Sequence, residues 1–498
     1  MTTADPIKVY DARWETEEFT VAEVRRLMEA TLRYGRMLDV EAVTISRDAR
    51  LGAGHVMELA ADEAIRQGFK VYLCAEPVST PQSYFTTLYV AREQPQTMGL
   101  TITASHNPRN YIGIKFTVPV VQAIGADCGP LGGLTKIREL YHAGSAAPDQ
   151  PTGGLELLEL SEHYIDYSLA AAGVAPGQLK GLRLVLDAFH GSAGPCLYRA
   201  LRKAGAEVVP LRLIPDGNYP TGSPNPTSQG KMNAAVEKAR QADARLVVGV
   251  DGDGDRMVFG DHRGILAAGF AAIPILDAAG LDPQRPQPVL YDPKVNPLAL
   301  AEWAKLGANP VLFRNGHSQI KDYMARIDAA AAAEESGHYY HRLTLGPNTV
   351  STENSLLTVL LFAAAAHQQP GLLDRLWALQ RQVFTTGEFN YQFPDDDARD
   401  HAMQAVLDHF VDQGAVATTH TPDGVDLQGT VLNKGVRLDD AGSLNLEPGW
   451  FSGYIRVATN EKGVVRSYFS AGDTRTGERV EEQARDILEN QHGGQVIE

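Results

Sequence analysis

Leu184-Val185-Leu186-Asp187 is a short apolar run closing on an aspartate, followed by an amphipathic stretch from Leu197 to Lys203, a glycine at 205 and a second apolar run, Val208-Val209. Such runs read as buried strands and the stretch between them as a helix. The layout recurs on both sides. Val43-Thr44-Ile45 leads through Arg47-Asp48 to Gly68 and Val71-Tyr72-Leu73; Val289-Leu290-Tyr291-Asp292 leads through Leu298 to Leu306 and Gly307 to Val311-Leu312-Phe313. A helix between two strands makes them parallel and covers the sheet with helices. Three related α/β domains are therefore expected.

At 498 residues, with 44% apolar and 21% charged side chains, the chain has the composition of an ordinary globular protein and length for three or four domains. Ala143-Gly144-Ser145-Ala146-Ala147-Pro148-Asp149-Gln150-Pro151 reads as a linker, Leu281 to Pro288 as a loop entering a strand, and Pro394-Asp395-Asp396-Asp397 as a further break. From Val416 to Phe469 the runs are short and β-prone, with turn signals at Pro422-Asp423-Gly424 and Asp439-Asp440-Ala441-Gly442, and a helix is expected from Gly477 to Glu489. The resulting division is three α/β domains over 1–150, 151–265 and 266–385, then a smaller α+β domain over 386–498.

A net charge of −16 argues against a nucleic-acid surface, so an anionic substrate would need a local basic pocket. Cys74, Cys128 and Cys196 lack metal-ligand or paired spacing, which fits the cytoplasm. Met-Thr-Thr-Ala-Asp-Pro has none of the pattern of a signal peptide, and the apolar run Leu356 to Ala366 is too short for a membrane span, reading instead as a buried helix.

Four loops carry candidate chemistry. Thr103-Ala104-Ser105-His106-Asn107-Pro108 precedes Gly113-Ile114-Lys115. A serine becomes a useful nucleophile only when a neighbour lowers the cost of losing its proton, which Lys115 and a metal could do. The alternative is a plain Asn-Pro turn. Asp251-Gly252-Asp253-Gly254-Asp255-Arg256 follows the strand-like Leu246 to Val250; alternating carboxylates and glycines let the backbone wrap a hard cation. An EF-hand is excluded, because Arg256 and His262 stand where that loop needs Gly and Glu. A solvated acidic turn would leave the three carboxylates repelling one another. Glu334-Glu335-Ser336-Gly337-His338, close to Gly316-His317-Ser318 and Lys321, offers groups suited to sugar hydroxyls, or else ordinary helix-end caps. Arg456-Val457-Ala458-Thr459-Asn460-Glu461 has the donors that grip a phosphate dianion, or else carries a merely solvated strand arginine.

In this order the loops resemble the α-D-phosphohexomutase superfamily, particularly its phosphomannomutase/phosphoglucomutase branch. The likeness covers nearly the whole chain. It includes Tyr10-Asp11-Ala12-Arg13, Asp216-Gly217-Asn218-Tyr219-Pro220, Pro224-Asn225-Pro226, Asp292-Pro293-Lys294 and the Gly-His-Ser loop at Gly316. The resemblance implies three related mixed α/β sheet domains and a smaller C-terminal α+β domain around a central cleft. It implies Ser105 as phosphoserine, and Ser105 with Asp251, Asp253 and Asp255 as the ligands of one Mg²⁺ per chain. Glu334 and Ser336 would hold sugar hydroxyls, and Arg456, Thr459 and Asn460 the phosphate not being transferred. Tyr10, Arg13, Lys115, Arg256, Lys294, His317 and His338 match positions lining the family's cleft. The implied reaction interconverts hexose 1- and 6-phosphates of glucose or mannose through a hexose 1,6-bisphosphate, with Lys115 as acid/base group assisted by Arg13 and His317. The partner is a small sugar phosphate, with no nucleic acid or membrane, and the chain is expected as a monomer or homodimer.

The chain departs from the family pattern. Trp14 stands for the Gly after the N-terminal Arg, Ile112 for the Asn before Gly113, and Thr352-Glu353-Asn354 alters an acidic stretch. The phosphate loop loses a serine hydroxyl at Ala458 and has Lys462 for Pro; one donor lost to a phosphate costs about 1.5–3 kcal/mol, and Lys462 or Arg466 could compensate. Two other functions are consistent with these residues: a metal-dependent sugar-phosphate phosphatase, and a catalytically weak sugar-phosphate-binding protein. No residue in the Glu334 to His338 loop reads the 2-hydroxyl that separates glucose from mannose.

Overall fold

Strand Ala42–Arg47 pairs in parallel with Lys70–Leu73 on one side and Thr97–Ile102 on the other, as the first strand-helix-strand segment requires. Val43, Ile45, Met98, Leu100 and Ile102 are buried in one core, and the alternating Thr44 and Thr101 on the other face of these strands are buried too, as in a sheet covered on both sides. The computed structural model describes residues 5–18, 20–144, 152–438, 444–458 and 461–497. Most of the Ala143 to Pro151 linker, the Asp439-Asp440-Ala441-Gly442 turn, Thr459 and Asn460 lie outside the described residues.

The chain divides into two units. The first comprises Met1–Ile265, Gly316–Ala331 and Ser336–Pro370, the second Leu266–Asn315, Ala332–Glu335 and Gly371–Glu498. The first unit holds a seven-stranded sheet in which Ala12–Glu15, Tyr111–Val118, Thr97–Ile102, Ala42–Arg47, Lys70–Leu73 and Leu155–Leu157 lie in that order, with Gln122–Ala123 paired to Tyr111–Val118. Its parallel centre is closed on one side by antiparallel strands. Helix Val21–Arg36 starts at Thr20, whose Oγ1 accepts from Glu23 N and donates to Glu23 Oε2 at 3.0 Å. Trp14 and Ile112, two of the departures from the family pattern, are direct cross-strand partners, both buried. An aromatic beside a β-branched residue stabilises such a pair by about 0.2–1 kcal/mol, so the two changes are matched.

A second sheet of this unit runs Gly264–Ile265, Met257–Asp261, Leu246–Val250, Arg183–Asp187, Glu207–Leu211. Helix Gly194–Lys203 joins its parallel strands, and Met257–Asp261 turns back antiparallel after the aspartate loop. The Leu356 to Ala366 run is a helix, Ser355–Gln368, capped by Asn354 and buried from Ser355 to Ala366. Asn354 Oδ1 also accepts from Tyr164 Oη at 2.8 Å, tying this helix to Ser161–Ala171. No single helix among the described residues is long and apolar enough to cross a membrane.

In the second unit, Gln287–Tyr291 and Ala308–Leu312 pair in parallel across helix Pro297–Lys305. Its other sheet orders Val416–His420, Asp426–Leu438, Leu444–Val457, Val464–Ala471, Phe384–Gln392 and Gln495–Ile497, with helices Asp396–Asp412 and Thr474–Arg485 packed on a core of Phe389, Phe410, Phe451 and Phe469. Two sequence expectations shift here. Because Phe384–Gln392 pairs with Val464–Ala471, the acidic turn at Pro394 lies inside this sheet domain, where Asp395 caps the next helix. The last helix begins at Thr474 rather than Gly477, since Asp473 accepts from Thr476 N, and after Arg485 it continues as a π-helical turn, Asp486–Gln491.

Candidate active site

Ser105 sits between antiparallel strands Thr97–Ile102 and Tyr111–Val118, whose register sets Thr101 opposite Lys115. Its backbone is left-handed, at φ +54°, a conformation costly for a residue with a Cβ and sustained only where neighbours enforce it. Ser105 N donates to Thr103 Oγ1 at 2.8 Å. The side chain is buried, with Oγ 3.2 Å from His106 Nδ1 and 3.3 Å from Asp251 Oδ2.

The aspartates reach this serine because strand Leu246–Val250 delivers them to its end. Gly254, at φ +73°, bends the chain sharply between Asp253 and Asp255. Gly252 is required by space, since a Cβ there would stand 2.9 Å from the Ser105 carbonyl oxygen. Lys115 Nζ donates to Asp253 Oδ2 at 2.8 Å and Asp255 Oδ2 at 2.5 Å, and Thr80 Oγ1 adds 2.5 Å to Asp253. Burial works against the charge on Lys115, but Asp253 and Asp255 outweigh it and hold the ammonium well above its ordinary range. Burial likewise opposes ionisation of Asp253, and Lys115 with Thr80 overcomes it. Asp251 is pushed up instead, by burial and then by its two neighbouring carboxylates. Asp251, Asp253 and Asp255 place carboxylate oxygens within 4.8 Å of one another, and Asp253 Oδ1 and Asp255 Oδ1 are buried without a hydrogen-bond partner. Hard oxygen donors with spare lone pairs suit a divalent cation.

Arg256 Nε donates to His338 Nε2 at 3.2 Å. Because a guanidinium can only donate, His338 carries its proton on Nδ1, which faces Asp255 Oδ1 at 3.9 Å and Glu353 Oε1 at 3.8 Å. Asp255, His338 and Glu353 also cluster within 4.8 Å, and with its proton on Nδ1 the imidazole turns a donor, not a lone pair, toward the two carboxylates. Burial first, then the nearby Arg256 and Lys115 charges, push His338 down to about 3 despite Asp255. Lys321 Nζ pairs with Glu353 Oε2 at 3.0 Å and lies over the Tyr84 ring. One turn before it on the same helix, His317 is kept neutral by burial and by the charges of Lys321 and Lys115, and Tyr10 stands beside it with ring centres 6.1 Å apart. Arg13 pairs with Asp11 at 2.7 Å, and its guanidinium also interacts with Asp253 and Asp255. The first unit thus gathers Ser105, the three aspartates, Lys115, Arg256 and His338, with Arg13, His317 and Tyr10 alongside. Ser336 belongs to it too, its Oγ buried without a partner.

The second unit carries the rest. Asn315 Nδ2 donates to Asp292 Oδ2 at 2.6 Å and to Glu334 Oε1 at 3.2 Å. Glu335 accepts from Ala268 N and Gly269 N at the start of helix Ala268–Ala278, and its own N donates to Asp292 Oδ1. Burial and the neighbouring Asp292 push its carboxyl up to about 8. Glu388 gathers the basic groups: Lys294 Nζ at 3.4 Å, Arg466 Nη1 at 3.0 Å, and Arg456, the direct cross-strand partner of Arg466. Burial raises the Glu388 carboxyl, but Lys294, Arg456 and Arg466 together hold it below its ordinary range. Two arginines directly opposite one another repel, and an anion beside them relieves the repulsion. Sequence reading passed over Arg50 and Glu388 because neither lies in a compact motif, and it placed Glu335 in the Glu334 to His338 loop without identifying the helix it caps; Asp48-Ala49-Arg50 at the end of a strand was the one local signal for Arg50.

The chain matches phosphoglucomutase/phosphomannomutase α/β/α domain I over residues 6–126, domain II over 162–264 and domain III over 269–383. It is 29% identical over 414 residues to a protein named for phosphohexose mutases from Xanthomonas campestris pv. campestris strain B100, spanning 82% of this chain and 87% of that one. To a Salmonella montevideo phosphomannomutase it is 29% identical over 429 residues, spanning 84% and 89%. Its fold is shared with a phosphoglucomutase/phosphomannomutase family protein from Burkholderia thailandensis, at TM-score 0.78, 22% identity and 98% coverage of both chains. It is shared as well with the Paramecium phosphoglucomutase parafusin in open form, at TM-score 0.73, 16% identity and coverage of 97% and 94%. Fold and site together define a sugar-phosphate phosphotransferase built from mixed α/β sheet domains. The chain belongs to the phosphoglucomutase/phosphomannomutase family and is a phosphohexomutase.

Proposed function

We propose that the enzyme moves a phosphoryl group between the 1- and 6-oxygens of glucose or mannose through a phosphoserine at Ser105 and a hexose 1,6-bisphosphate. The observation that carries this reading is a buried Ser105 Oγ 3.3 Å from Asp251, beside the buried ion pairs of Lys115 with Asp253 and Asp255. In the first half-reaction the Ser105 Oγ–P bond breaks while phosphorus bonds to the free hydroxyl oxygen of the sugar monophosphate. Neutral His317 is suited to take the hydroxyl proton, and charged Lys115 to return one to Oγ, with Arg13 assisting. A magnesium ion held by Asp251, Asp253 and Asp255 would supply positive charge against the phosphoryl oxygens in flight. After the bisphosphate reorients, its other phosphate returns to Ser105 and the isomeric monophosphate leaves.

Glu334, Ser336 and His338 are assigned to the sugar hydroxyls. Arg456, Thr459 and Asn460 are assigned to the phosphate that stays, with Lys294 and Tyr10 completing the binding set and Arg256 counted among the catalytic groups. Three buried free cysteines suit the reducing cytoplasm. The test uses Ser105-phosphorylated protein with Mg²⁺ and a panel of sugar 1-phosphates. Formation of 6-phosphate without free phosphate, falling about 10⁴-fold or more in Ser105→Ala, supports the reading. Release of inorganic phosphate would make the protein a phosphatase, and binding without turnover of any sugar would make it a sensor.

A further inference from the structure

We infer that Arg50 is a positioning residue for phosphoryl transfer, holding Ser105 in the left-handed conformation from which Oγ reaches the aspartates. The inference rests on Ser105 as the phosphoryl carrier. The Arg50 side chain is wholly buried, at 0% exposure, and reaches the Ser105 loop through backbone carbonyls. Its Nη1 donates to the carbonyls of Pro108 at 2.8 Å and Tyr111 at 3.3 Å, and its Nη2 to those of Ser105 and of Asn107, the latter at 2.7 Å. One guanidinium therefore collects the carbonyls of a loop that has no sheet or helix ladder of its own between Thr103 and Asn110.

The other end of Ser105 returns to the same ion pair. Asp48 Oδ2 lies 3.2 Å from Arg50 Nε and accepts from Thr103 Oγ1 at 2.7 Å, while that oxygen accepts from Ser105 N at 2.8 Å. Arg50 holds the Ser105 carbonyl directly, and its partner Asp48 holds the Ser105 amide through Thr103. Fixing both peptide groups fixes φ and ψ, which is what a non-glycine residue at φ +54° requires. Arg50 is anchored in turn: its N donates to Asp48 Oδ1 at 2.8 Å, its backbone bridges to Gly217, and its guanidinium lies 5.2 Å from the Tyr219 ring centre.

Lysine cannot take over this role, because an ammonium offers three donors from one point where the loop needs a planar fork. A serine displaced by about 1 Å loses about 100-fold in rate. Binding of the substrate elsewhere stays intact, so the loss falls on kcat and not on KM.

The test compares wild type, Arg50→Lys and Thr103→Val as full-length, Ser105-phosphorylated, Mg²⁺-saturated proteins. Its readouts are kcat and KM for 1-phosphate to 6-phosphate conversion, and hydrogen exchange along the chain. Expected for Arg50→Lys are a kcat about 100-fold lower, a KM within about twofold, and lost protection confined to residues 103–111, with Thr103→Val shifting the same quantities less. A kcat within about twofold of wild type with unchanged protection overturns the inference. Loosening across the whole first unit with kcat and KM changing together overturns it as well, since that is the signature of a core ion pair. A wild type that does not convert the sugar phosphate defeats the reading of Ser105, and the exchange of residues 103–111 then still decides whether Arg50 holds the loop.

Discussion

Lys115 and Arg466 each end on two carboxylates, but they live in different solvents. Lys115 is 2% exposed, bound to Asp253 and Asp255 among buried strands, whereas the Arg466 side chain is 25% exposed between Glu388 and Glu461. Away from water a charge must be matched by fixed partners, and the field it exerts is then strong and stays in place. In contact with water the same pairing is weak, screened by salt and exchangeable. Under the proposed function, the buried cluster of the first unit suits charge that moves during a reaction, and the more exposed cluster around Glu388 suits an anion that binds and leaves.

The largest break in this contrast comes at Lys115. Lys115→Met strips buried carboxylates of their counter-charge and should cost about 3–5 kcal/mol of stability in metal-free buffer. Thermal unfolding should show much of that loss restored by saturating Mg²⁺; the same Tm with and without Mg²⁺ would mean that the aspartates do not hold a cation. Next is Arg456→Ala, expected to raise KM by about tenfold to a hundredfold at unchanged kcat, with the wild-type KM itself rising with salt. Steady-state kinetics giving a wild-type KM would place the non-transferred phosphate elsewhere.

Glu335 sharpens the contrast within the second unit. Its folded carboxyl is pushed up to about 8 from an ordinary 4.5, so the folded protein keeps a proton that the unfolded chain releases. Stability from this group is full below about 4.5 and is lost as the pH rises to about 8. Glu335→Gln should flatten Tm against pH across that window, and a profile parallel to wild type would show that Glu335 is ionised throughout. The smallest effect belongs to Glu388→Gln, which should change stability by less than about 1 kcal/mol while freeing Lys294 and Arg466 to bind inorganic phosphate more tightly in calorimetry. Weaker phosphate binding would mean that Glu388 organises these cations rather than competing for them.

What the sequence revealed followed from range. The strand-helix-strand repeats and the Leu356 to Ala366 helix depend on neighbours a few residues apart, and the Asp251 to Asp255 loop carries its chemistry in five consecutive positions. Arg50 was illegible because its carbonyl partners lie 55 to 61 residues downstream, and the capping role of Glu335 because the helix it caps begins 67 residues upstream. Trp14 and Ile112 looked like two separate departures until strand register made them one matched pair. The start of the last helix was misplaced because Gly477 drew attention away from Asp473, whose side chain makes the cap.

Gly252 gives the two chemical loops a shared tolerance. With only 2.9 Å between its missing Cβ and the Ser105 carbonyl, a single added methyl would wedge the serine away from the aspartates while deleting no functional group. Gly252→Ala would thus be a throttle for the enzyme, slowing it through spacing alone.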